Sequence, residues 1–191
     1  GRLHLVFASG ALAVWHNVEY GVPTLAASFV ATLLGTQRSR RLPVVANFVV
    51  TTAATLGLVI LFGYFRSGVL PQLDSIALML KGYATAGYYN SAVAPWGWHW
   101  LIYFTFLAAL TVAIFSSAKE RILDGVLGYA GVFGLSSLVY FQGRSHPDVL
   151  ICYFGTWSFC ITLLLFRYLK QERAEPVHSL QKFPAILYLV G

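Results

Sequence analysis

Six consecutive residues, Gly143-Arg144-Ser145-His146-Pro147-Asp148, set a cation, a hydroxyl, an imidazole and a carboxylate between two uncharged runs, 125–142 and 149–166. Charge in such a place is expensive and by default marks a functional site. Pro147 suits the first turn of a helix, where its missing N–H is not needed. Ser145 could cap that turn with Asp148 three residues on, a capping box with Asp in place of Glu. The motif then reads as a helix start carrying Arg144 and His146. Free N–H groups and the helix dipole both favour an anion there. An ordinary capped loop between two helices accounts for the same residues without a ligand.

A second polar group precedes the second apolar run. His16 and Glu19 are three residues apart and would share a helix face if the first helix continued through them. Asn17 lies between them. A carboxylate so placed can act as a base or hold a hydroxyl; it can equally pair with Arg144 or Arg66. His99 stands between Trp98 and Trp100, where a structural role at an interface competes with a binding role. His4 and His178 lie apart from both groups. The chain has no His-x-x-x-His, Cys-x-x-Cys or Asp-x-Asp pattern, so no metal set is specified, and a divalent metal is left open. Imidazoles at His16, His99 and His146, on different segments, leave a haem open as well. Cys152 and Cys160 fall about 12 Å apart on one helix and read as ordinary buried thiols. Neither a phosphate loop nor a nucleophile elbow is present.

The elements that must position these groups are membrane segments. The 191 residues are 58% hydrophobic and only 10% charged, against roughly a quarter charged in soluble domains. Their mean hydropathy is +0.68. With about 20 apolar residues as the spanning length, six segments emerge: 3–15, 21–35, 42–65, 98–116, 125–141 and 149–166. The expected fold is therefore all-α, a polytopic bundle of about six spans over residues 1–173. The first two segments are short, and cross only if the polar residues at their ends extend the helices. The loop 66–97 is itself mostly apolar. Residues 73–80 have helical spacing, and Tyr83, Tyr88, Tyr89, Trp96, Trp98 and Trp100 follow. It reads as an interfacial helix and an aromatic loop that re-enters the membrane or forms an aromatic belt. Residues 174–191 read as a tail or the start of a further helix, and the chain as a piece of a longer protein.

Orientation follows from Lys and Arg. Of the 13 basic residues, only Arg66, Lys81 and Arg144 fall on one side under this arrangement. The remainder mark the cytoplasmic side. His16, Asn17, Glu19, the 66–97 loop and the 143–148 motif then share the extracytoplasmic side. The net charge of +6 does not imply nucleic acid, since the basic residues are spread between apolar runs.

Three patches resemble one group of bacterial multi-pass membrane proteins: His16-Asn17-Val18-Glu19-Tyr20-Gly21-Val22-Pro23, then Pro95-Trp96-Gly97-Trp98-His99-Trp100 leading into Thr105-Phe106-Leu107-Ala108-Ala109-Leu110, and Gly143 to Asp148. The group is similar to glycosyltransferases of the GT-C fold. The resemblance implies a bacterial inner-membrane enzyme that takes sugar from a polyprenyl-phosphate donor on the extracytoplasmic face. It also implies that Glu19, Arg144, His146 and Asp148 line the active-site side of the bundle. The fold's usual acidic base, in the first extracytoplasmic loop, has no counterpart motif in this chain.

The expected function is thus part of a membrane glycosyltransferase. Glu19 would orient or activate an acceptor hydroxyl, and Arg144 and His146 would hold the donor phosphate. Asp148, His16, Asn17, His99 and Arg66 would complete the binding pocket. Membrane lipid and the lipid-linked donor are the expected partners. One alternative is a transporter or flippase for an anionic lipid, which calls for charge inside the spans; the apolar runs show none. Another is a non-catalytic subunit of a larger membrane complex. Ala26, Ala27, Gly57, Gly63, Gly128, Gly131 and Gly134 would then serve close helix packing.

Overall fold

The computed structural model describes residues 2–85, 95–116, 120–143 and 147–174. These are helical, with no strand among the described residues. The helices are α1 (Arg2–His16), α2 (Val18–Gly35), α3 (Arg41–Ser67), α4 (Leu73–Thr85), α5 (Trp98–Phe115), α6 (Arg121–Ser137), α7 (Val139–Gly143), α8 (Pro147–Ile151) and α9 (Phe154–Ala174), with a 3-10 turn at Arg38–Arg40 before α3. Four are long and apolar enough to cross a membrane: α2, α3, α5 and the α6–α7 run Arg121–Phe141. The loop 86–94 and the tail 175–191 lie outside the described residues, and with them the re-entrant and seventh-span readings.

α1 and α2 form an antiparallel hairpin with Asn17 as its only connecting residue. Two glycines let the helices close. A Cβ at Gly21 would collide with the α1 backbone at Ala13 and Val14, and one at Gly10 would come within 2.8 Å of Leu25 Cδ1. Phe7, Gly10 and Ala11, spaced i, i+3, i+4, form the buried stripe of α1.

α6 is the centre of the bundle. Glycines recur on it every third residue and serve two neighbours. Gly125 and Gly128 meet Ala31, Leu34 and Gly35 of α2, while Gly131 and Gly134 meet Leu110 and Phe106 of α5. Small residues bring apolar helices into van der Waals contact where lipid supplies no hydrophobic drive. The α5 stripe Ile102, Phe106, Ala109 and Ala113 packs with Leu127 and Ala130 in this core. α9 lies on the far side, antiparallel to α6. The Trp157 indole donates to Thr105 Oγ1 of α5 at 3.0 Å, and the Cys160 thiol approaches the Thr105 carbonyl at 3.9 Å.

α3 stands at the periphery, against α1 and, less closely, α2. Phe48 packs edge-on to Phe7 at 5.2 Å and against Phe29 at 4.3 Å. Gly57 and Gly63 face open space and serve no contact among the described residues of this chain. Their small-residue signal is the same as that of Gly131; only the neighbour is missing. α3 ends at Gly68, whose φ of 70° lets its N–H reach the Tyr64 carbonyl at 2.8 Å.

The run 149–166, expected to be one helix, is broken. α8 is five residues long, Cys152 and Tyr153 form a turn, and α9 starts at Phe154. α4 packs on α7. The starts of α2 and α5, the α6–α7 break and α8 thus gather at one end of the bundle, the tyrosine end. The starts of α1, α3 and α6 and the later part of α9 gather at the other, the arginine end.

Candidate functional site

Asn17 shapes the tyrosine end. Its backbone is extended, and its side-chain oxygen accepts from the N–H groups of Glu19 at 3.0 Å and Tyr20 at 3.4 Å. It is therefore the N-cap of α2. Pro23 has no N–H to donate to the Glu19 carbonyl. His16, exposed, closes α1, and Glu19 is half-buried in the first turn of α2.

Opposite this turn are α7 and the α8–α9 turn. Tyr20 lies within electrostatic reach of Cys152, Tyr140 and Glu19, and Tyr153 within reach of Tyr20, Cys152, Tyr140 and Tyr103. Two of the phenols have a fixed task. Tyr153 donates to the Ser137 carbonyl at 2.8 Å and Tyr103 to the Leu138 carbonyl at 3.2 Å. These carbonyls sit where α6 gives way to α7, so the phenols satisfy acceptors at a helix break. Tyr20, Tyr140, Glu19 and Cys152 form a phenol–carboxylate–thiol group beside α8.

Arg144, Ser145 and His146 lie outside the described residues. Their flanks are clear: Gly143 ends α7, and Pro147 opens α8 in the first helical position. Asp148 is exposed in the first turn of α8. A five-residue helix sums few peptide dipoles, so the anion reading here rests on the cation and not on the helix. Arg66 is exposed at the end of peripheral α3, which packs on α1 and α2; it belongs to a different flank from Tyr140 and Cys152. His99 is buried, 4% exposed, with its ring 5.6 Å from Phe141 and 5.3 Å from Trp100. Its Nε2 has no hydrogen-bond partner. It is packed under α7, in the first turn of α5.

No family model, no curated protein and no solved structure matches this chain. The site is thus argued from its geometry alone. Among the described residues, no three of His, Cys, Asp and Glu converge as metal ligands.

Two polar constellations escaped the sequence reading. Asp124, one turn inside α6, pairs with Arg167 of α9, their side chains 5% and 7% exposed. Arg167 Nη2 also donates to Ser116 Oγ at 2.5 Å, and Lys170 meets Glu120 at 2.6 Å nearby. α6 and α9 extend past their apolar runs and carry this pair at the arginine end, while the runs 125–141 and 149–166 themselves hold no charge. The second constellation joins α1 to α3. His4 Nδ1 lies 2.8 Å from Thr51 Oγ1, Asn47 Nδ2 lies 3.1 Å from His4 Nε2, and Thr51 Oγ1 lies 3.4 Å from Asn47 Oδ1. With the proton on Nδ1, the three side chains close a ring of donors and acceptors. A groove of about 410 Å³ beside it, lined by Leu5, Val6, Ser9, Gly10, Thr24 and Ser28, is mostly apolar.

Proposed function

We propose that this chain is part of the membrane bundle of a bacterial inner-membrane glycosyltransferase that uses a polyprenyl-phosphate sugar, with the tyrosine end facing the extracytoplasmic side. In this reading α1 and α9 cross beside the four long apolar helices, giving about six spans. The observation that supports it is the meeting of the α1–α2 turn with α7 and α8. Tyr20, next to Glu19 in the chain, lies within electrostatic reach of Tyr140 and Cys152, and the ends of α7 and α8 bound the stretch that carries Arg144 and His146. Glu19 is the carboxylate of that group and the candidate to orient or deprotonate an acceptor hydroxyl. Arg144 is the candidate phosphate ligand, because a guanidinium fork matches phosphate oxygens.

The test is made on the full-length protein. Glu19→Gln is expected to slow transfer at least about hundredfold, the lower bound for general-base loss, with the melting temperature unchanged. Arg144→Ala is expected to weaken donor binding about ten- to a hundredfold, with partial recovery in Arg144→Lys. Unchanged transfer in the first variant and unchanged donor affinity in the second would remove the enzyme reading.

A second reading, a non-catalytic subunit of a larger membrane complex, is favoured by α3. Its exposed face carries Gly57 and Gly63 with nothing within 4 Å, beside exposed Leu58, Leu61 and Phe62. Small residues on such a face suit a further helix. Gly57→Leu would then release a co-purifying partner and leave this chain folded.

A further inference from the structure

Among the described side chains, the arginine end holds more cations than carboxylates. Among the described side chains there, the acids are Glu120 and Asp124, and both are taken, by Lys170 and Arg167. Arg2, Arg38, Arg40, Arg41 and Arg121 have no ion-pair partner. Two of these differ from the rest. Arg38 and Arg40 are exposed, but Arg41 and Arg121 are half-buried. Arg41 Nε and Arg121 Nη1 are shielded from solvent and make no hydrogen bond. A shielded guanidinium N–H without an acceptor is costly.

Both arginines flank the C-terminal end of α2. Gly35, its last residue, faces the Arg121 carbonyl, with a Cβ built there 3.6 Å away. Arg41 opens α3 just past the Arg38–Arg40 turn that follows α2. Each arginine is also the first residue of its helix, where the macrodipole disfavours a cation. The first turn of α3 holds no carboxylate, and that of α6 holds only Asp124, which is paired with Arg167. An anion with several acceptor oxygens suits two such guanidinium groups.

We propose that Arg41 and Arg121 together bind a phosphate group at the α2–α3–α6 corner, supplied by an anionic phospholipid of the adjoining leaflet. A phosphate diester offers two charged oxygens to two guanidinium forks. Its headgroup sits where these helices leave the hydrocarbon, and exposed Arg38 and Arg40 add diffuse attraction to an anionic leaflet. The site is at the opposite end from Glu19 and Tyr140, so it stands or falls independently of the proposed transferase.

The experiment uses the full-length protein, delipidated in neutral detergent. Thermal unfolding is followed while short-chain phosphatidylglycerol, phosphatidylcholine or inorganic phosphate is added. Phosphatidylglycerol is expected to raise the melting temperature saturably and phosphatidylcholine to leave it unchanged. Inorganic phosphate as effective as phosphatidylglycerol would identify free phosphate as the ligand; a much weaker effect identifies the lipid. Arg41→Gln/Arg121→Gln is expected to weaken half-saturation at least about tenfold, the scale of one lost charge-assisted hydrogen bond. Arg38→Gln/Arg40→Gln removes the same charge from exposed positions and is expected to weaken it about threefold or less, as screened surface charge does. Should the first variant not fold, Arg41→Lys/Arg121→Lys keeps the charge and removes the forks, and is expected to weaken binding several-fold. Equal losses in the two Gln pairs, an unchanged Lys pair, or equal stabilisation by the two lipids would overturn the proposal.

Discussion

Asp124 on α6 and Arg167 on α9 form an ion pair sealed between the helices, with Ser116, the C-cap of α5, as a third partner. It joins three segments at the arginine end. Removing one member strands a charge in a low-dielectric site, whereas removing both does not. Asp124→Ala is therefore expected to cost about 3–5 kcal/mol. The double variant Asp124→Leu/Arg167→Leu should recover most of that loss. Denaturation in mixed micelles measures both, and a double variant as unstable as the single would contradict this account.

Glycine position decides its cost. At Gly134 an added side chain meets the Phe106 ring, and at Gly131 it meets the α5 backbone. Leu at either position is expected to destabilise by at least about 1–3 kcal/mol, the range for overpacking. Leu at Gly57 or Gly63 enters open space and should leave the melting temperature of the isolated chain within error. A comparable drop in all four variants would mean that α3 packs more tightly than observed.

The His4–Asn47–Thr51 ring should show coupling. His4→Leu leaves the Asn47 amide and the Thr51 hydroxyl without their partner, and Asn47→Leu leaves His4 Nε2 alone. Each single loss is expected to cost about 0.6–2 kcal/mol, as for hydrogen bonds between membrane helices. His4→Leu/Asn47→Leu should cost less than the sum of the singles. Strict additivity would show that the two side chains do not interact in the membrane.

Sidedness is checked with an impermeant thiol reagent in a chain carrying Cys152→Ser and Cys160→Ala. Single cysteines at Ser67 and Ser145 are expected to label from one side, and those at Ser39 and Ser117 from the other. The reason is that basic residues concentrate on the cytoplasmic side of membrane helices. Labelling of all four from the same side would remove the proposed orientation.

Much of this architecture is legible in the sequence because lipid leaves the backbone little choice. A peptide group unsatisfied in hydrocarbon is so costly that a long apolar run must be helical. The runs 42–65 and 98–116 accordingly match α3 and α5 to within two residues. The short polar interruptions likewise had to be turns, and Asn17 and Pro147 stand where cap and first-turn chemistry puts them. Other features needed the tertiary structure. Gly57 and Gly131 are alike as residues; only the arrangement of α5 around α6 makes one a contact and the other a surface. Asp124 and Arg167 lie 43 positions apart, and nothing local to either marks the other as its partner. His99 looks interfacial between two tryptophans, yet the fold of α7 over α5 buries it against Phe141. Apolar length is a property of one segment and can be read from it. Pairing, burial and exposure are properties of two or more segments, and exist only once the chain has chosen which helices touch.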